Sequence, residues 1–102
     1  MEKYISILNN NLGKDKVLIK IKQKYYNKDG VLLLLHHYYN KGLQKEWTVS
    51  EYYSGFSILN TPKKTMQQAI DHADEVLQSR NINNQKEIID YLKKHNIELI
   101  NS

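Results

Sequence analysis

The dipeptide Asp29-Gly30 stands between two runs that both read as β-strands, and nothing else in the chain constrains the fold as tightly. Asp-Gly is a strong hairpin signal, because its residues tolerate the positive φ that a tight turn needs. Before it, Lys16 to Tyr26 alternates. Val17, Ile19 and Ile21 point one way and Lys20, Lys22 and Lys24 the other, the period of a half-buried strand. After it, Val31 to Tyr39 is a second strand, rich in Leu and Tyr. Asn40-Lys41-Gly42 marks another tight turn, and Leu43 to Tyr53 reads as a third strand. Ser54-Gly55 turns the chain again, and Phe56-Ser57-Ile58 is a candidate fourth strand. The expected sheet is a three- to four-stranded antiparallel meander.

The pattern then changes period. Met66, Ala69, Ile70, Ala73, Val76 and Leu77 form one continuous helical stripe, with Gln67, Gln68, Asp71, Asp74 and Glu75 on the other side. Thr61 and Pro62 predict the start of this helix as N-cap and first residue, and Arg80-Asn81 its end. Asn84, answered by Glu87, caps a shorter C-terminal helix that packs through Ile88 and Leu92. At the other end, Tyr4, Ile5, Leu8 and Leu12 share a helical face, which predicts a short N-terminal helix over Glu2–Leu12 before Gly13. The class is α+β: a meander packed on an amphipathic helix, with short N- and C-terminal helices.

The 102 residues suit a single domain, 1–102. The longest apolar run, Val31 to Leu35, is far too short to span a membrane. Met1-Glu2-Lys3-Tyr4 does not open a signal peptide. With no cysteine, disulfides and thiolate metal sites are excluded, which fits a cytoplasmic location.

Catalytic and cofactor chemistry finds little to work with. Ser50, Ser54 and Ser57 lie in no Gly-flanked elbow. His36 and His37 are adjacent, so in a strand they point to opposite faces and do not share a metal ion. Gly13, Gly30, Gly42 and Gly55 are isolated and cradle no phosphate. A non-enzymatic protein without cofactor or metal is expected.

Charge points to binding. Net charge is +4, yet residues 1–50 hold nine lysines against four acids, while 51–102 hold six bases against seven acids. The basic half is the half that reads as sheet, which suits an anionic partner. Fourteen of the fifteen bases are lysine, so the planar fork that reads guanine or phosphate bidentately is nearly absent. Six of the eight tyrosines occur as the pairs Tyr25-Tyr26, Tyr38-Tyr39 and Tyr52-Tyr53 at strand ends, where one ring of each pair faces inward and one outward. The candidate binding residues are Lys20, Lys22, Lys24, Tyr38 and Tyr52 on the sheet, or Asp71, Asp74 and Glu75 on the helix.

Glu46 to Leu77, with Thr61-Pro62-Lys63-Lys64-Thr65 opening the helix, resembles the small sheet-plus-helix DNA-binding domains of some phage and transposon integrases. The helix–sheet–helix order is similar to that of double-stranded RNA-binding domains. The first-strand His and Gly pattern and the Ala-rich helix of that family are missing, and Glu46 and Glu51 sit where a duplex-binding sheet prefers bases. In size and composition the chain also resembles accessory proteins of phages and mobile elements, including anti-CRISPR inhibitors. That resemblance implies a protein that occludes a host protein or ribonucleoprotein such as a CRISPR effector. The alternative is a nucleic-acid-binding module that uses the Lys/Tyr sheet face on DNA or RNA.

Overall fold

The computed structural model describes residues 3–8, 16–37, 46–59, 61–97 and Leu99, with the backbone alone for 3–8 and 16–21. It is an α+β fold. Strands β1 (Lys3–Leu8), β2 (Lys16–Tyr26), β3 (Leu32–His37) and β4 (Trp47–Glu51) form one antiparallel sheet in the order β1-β2-β3-β4. Two helices follow, α1 (Met66–Ser79) and α2 (Gln85–Lys94). No helix among the described residues is long and apolar enough to cross a membrane.

The hairpin joining β2 to β3 forms where Asp29-Gly30 places it. Asn27 N–H donates to the Val31 carbonyl at 3.0 Å, leaving a three-residue loop, Lys28-Asp29-Gly30. Gly30 has φ 78°, the left-handed residue that closes such a loop. Asn27 holds the turn from within, its Oδ1 accepting from Asp29 N–H at 2.8 Å and Val31 N–H at 2.9 Å.

The N-terminal segment is a strand and not the expected helix. Lys3–Leu8 pairs with β2 from Lys3↔Ile21 to Leu8↔Lys16. The β2 edge offers unpaired backbone groups, and satisfying them outweighs a helical spacing that polar Asn9-Asn10-Asn11 would have weakened. The stretch Phe56-Ser57-Ile58 contributes only an isolated bridge, Ser50↔Ser57. Tyr38 to Lys45 lies outside the described residues, so the third strand is seen from Trp47 onward.

The core lies between the sheet and the helices. Val31, Leu33, Leu35 and Val49 pack with Ala69, Ala73, Leu77, Ile88 and Leu92. Tyr25, Trp47, Ile70 and Val76 cover its margins. The stripe Ala69-Ala73-Leu77 is therefore the buried face of α1. Two alanines let the helix approach the sheet closely. Burying this set removes several fully apolar side chains from water, each worth about 1.5–3 kcal/mol when large.

On β3 burial is continuous from Leu32 to His36, without alternation. Leu32 and Leu34 form a second apolar cluster with Tyr52 on the face away from α1. A short unbroken apolar run marks a strand covered on both faces, and Val31 to Leu35 is such a run.

The start of α1 is corrected by one turn. The N-cap is Thr65, whose Oγ1 accepts from Gln68 N–H at 3.1 Å, and not Thr61. Residues before it are held by β4: Trp47 N–H donates to the Lys63 carbonyl at 2.7 Å and Lys63 N–H to the Trp47 carbonyl at 2.8 Å. Chain engaged in that bridge is not free to be helical. Asn84 caps α2 as expected, its Oδ1 accepting from Glu87 N–H at 2.8 Å.

Both helices end alike. Asn81 at φ 56° and Asn96 at φ 59° take the left-handed position that glycine usually fills. Ile82 N–H then reaches the Leu77 carbonyl, and Ile97 N–H the Leu92 carbonyl, each at 2.9 Å. Ile82 is buried and Ile97 packs against the core, so each helix end is sealed by an isoleucine.

Candidate functional site

Lys20, Lys22 and Lys24 do not form one uninterrupted row. A bulge separates Ile21, paired with His36, from Gln23, paired with Leu35. The extra residue, Lys22, shifts the alternation by one, so Lys20 and Lys24 stand out of phase. Ile21 shares its register position with His36, while Leu33 and Leu35 are the β3 residues that pack beneath α1. Lys20 is described by its backbone partner, Tyr4, alone. Tyr38 lies outside the described residues.

Lys22 and Lys24 are exposed, as is Lys28 in the hairpin loop. Lys24 Nζ stands 4.5 Å above the ring of Tyr52. Tyr52 itself is 7 % exposed and not the outward ring expected of it. Bound into the Leu32–Leu34 cluster, it meets Tyr53 edge-on at 5.0 Å. Among the described residues of this region the outward aromatic is Tyr26, 69 % exposed, which was not among the candidate binding residues. Its signal was the pair Tyr25-Tyr26, in which Tyr25 turns to the core.

Glu51 resolves an objection to this face as an anion site. Its carboxylate is 0 % exposed and turned into its own loop. Oε2 accepts from Tyr53 N–H at 2.9 Å, and Oε1 from Ser54 N–H and Ser54 Oγ–H, both at 2.8 Å. The acid anchors the turn at Gly55 and presents no charge outward.

The helix acids divide between two surroundings. Asp74 leans on the hairpin after β2, where its Oδ1 accepts from Asn27 Nδ2–H at 3.4 Å. Burial pushes the Tyr25 phenol well above its usual range, and the Asp74 charge adds to the rise. Asp71 and Glu75 are exposed and line an open groove of about 510 Å³ with Glu46, Lys63, Lys64 and His72. The Trp47–Lys63 bridge brings the two lysines to the first turns of α1. Gln67 Nε2–H donates to Asp71 at 2.9 Å, and His72 Nδ1 lies 3.4 Å from Glu75. Lys63, Lys64 and His72 were not among the expected site residues, although Lys63-Lys64 lies in the segment before α1 and His72 adjoins Asp71; the Trp47–Lys63 bridge is what brings Glu46 to them.

A third constellation is buried. His36 Nδ1–H donates to the His37 carbonyl at 2.8 Å, so Nε2 is the acceptor and the Ser50 hydroxyl donates to it at 2.8 Å. The separation is that of a serine and its general base. Both residues are only 1 % exposed, which closes the hydroxyl to a substrate in this arrangement. The pair ties β3 to β4. Among the described residues, no group of three or more His, Asp or Glu is arranged to hold a metal ion.

Comparison with protein-family models, with curated proteins and with solved structures finds no match for this chain.

Proposed function

We propose that this protein is a non-enzymatic binding protein of mobile-element type. It docks onto a host protein or ribonucleoprotein, such as a CRISPR effector, and inhibits it by occlusion. The observation that carries the reading is the groove at the start of α1. Lys63 and Lys64 meet Asp71 and Glu75 around an open volume of about 510 Å³, with no ion pair joining lysine to acid among the described residues. Charges of both signs held apart at an open surface favour a polar protein segment of complementary pattern, and give specificity more than raw affinity. The resemblance in size and composition to anti-defence inhibitors supplies the class of partner.

The test is a pull-down from the native host with immobilised protein, followed by stoichiometric addition to the captured activity. A wild-type-specific partner is expected, inhibited by the wild type and lost from Asp71→Lys/Glu75→Lys and Lys63→Glu/Lys64→Glu variants that melt like the wild type. Retention by both variants would remove the groove from the reading, and capture of no partner would remove the reading itself.

A further inference from the structure

The overhanging end of β2 carries a second surface, built from residues that the groove does not use. We infer that this end binds single-stranded nucleic acid, with Tyr26 as a stacking platform and Lys22, Lys24 and Lys28 as phosphate contacts.

Access comes from strand lengths. Among the described residues the β1 ladder on β2 reaches Lys3↔Ile21, while β2 continues to Tyr26. Gln23 to Tyr26 pairs with β3 on one side and with no described strand on the other. Tyr26 projects from this overhang at 69 % exposure, although its sequence neighbour Tyr25 packs against the core. The exposed Tyr26 ring offers a face for stacking, and every nucleobase offers one to meet it.

The charges are arranged for a polyanion. Lys24 is held over Tyr52 at 4.5 Å, which keeps its ammonium close to the sheet and lowers the entropy lost on meeting phosphate. Lys22 and Lys28 flank it, both exposed. Of the nearby described acids, Glu51 has its carboxylate in its own turn, Asp29 is half-buried in the hairpin loop, and Asp74 accepts from Asn27 Nδ2–H at 3.4 Å.

Single strands are favoured over duplexes, because a duplex hides the base faces that Tyr26 would meet. Acidic peptides could satisfy the lysines but give the exposed ring nothing to stack on. Lysine contacts phosphate as a point charge, so binding tolerates sequence.

The experiment is fluorescence anisotropy of the full chain with labelled oligothymidine, oligouridine, a mixed-sequence duplex and polyglutamate. Oligothymidine or oligouridine should bind more tightly than duplex or polyglutamate, the preference between the two assigning DNA or RNA. The log–log salt slope should be about −2, as expected for three lysines on a single strand. Tyr26→Ala should weaken binding by a factor of about 10 or more, and Tyr26→Phe should preserve it. Lys22→Glu/Lys24→Glu should abolish it with an unchanged far-ultraviolet melt. Wild-type affinity in Tyr26→Ala, or equal affinity for polyglutamate, overturns the assignment. So does loss of binding in the Asp71→Lys/Glu75→Lys groove variant alone, which separates this site from the groove.

Discussion

The Ser50 hydroxyl donates to Nε2 of His36 at 2.8 Å, diagonally across the β3–β4 ladder and inside the protein. Burial pushes the His36 imidazole from 6.5 down to about 4. The hydrogen bond to the His37 carbonyl opposes the fall, and the His37 charge adds to it. The folded protein therefore holds a neutral imidazole that the unfolded chain protonates more readily.

The sign follows. The stability this neutral group contributes is complete above about pH 6.5 and is lost as pH falls from there toward about 4, up to about 3 kcal/mol. Urea unfolding at a series of pH values should show the decline. In His36→Gln the slope over that interval should be shallower by up to about 1.4 kcal/mol per pH unit. Parallel wild-type and variant slopes would place the pH dependence elsewhere.

Glu51→Ala should destabilise the protein by about 2–4 kcal/mol, because Tyr53 N–H, Ser54 N–H and Ser54 Oγ–H lose their acceptor together inside the protein. Glu51→Gln keeps one acceptor oxygen and should cost less. Chemical denaturation of the two variants gives the order, and equal losses would contradict the geometry.

At the helix ends, Asn81→Ala and Asn96→Ala should each cost about 1 kcal/mol, because alanine resists the left-handed conformation at φ 56° and 59°. Glycine at either position should be tolerated. Thermal melts of the four variants decide it: an alanine variant that melts with the wild type would refute the argument.

Gly30 is needed for its torsion and not for space. An added Cβ would meet nothing within 4 Å, yet φ is 78°. Gly30→Val should therefore cost at least about 1 kcal/mol, and Gly30→Asn should recover most of the loss. The comparison can be read directly from denaturation midpoints.

Much of this molecule was legible before folding. The stripe Ala69-Ala73-Leu77, the Asn84–Glu87 cap, the end of α1 at Arg80-Asn81 and the hairpin after Tyr26 all rest on residues within a few positions of one another. The candidate surfaces were legible in part. Exposed Lys22 and Lys24, and Asp71 and Glu75, stood out as charged positions facing away from apolar ones. The grouping of Lys63 with Glu46 was not legible, because it depends on a bridge between Trp47 and Lys63, which are distant in sequence.

What the sequence alone determined is local: which segments carry strand or helix period, where Asn and Gly let the chain reverse, and how charge divides between its halves. Only the tertiary structure decided that Lys3–Leu8 becomes a strand, that Thr65 displaces Thr61 as cap, and that Lys22 breaks the lysine row. It also turned Tyr52 inward and Tyr26 outward, and folded the Glu51 carboxylate away from solvent. These outcomes share one physical reason. Each depends on a backbone or side-chain group finding its partner on a neighbouring strand or across a turn, and a helical or strand period in one segment does not say which partner wins.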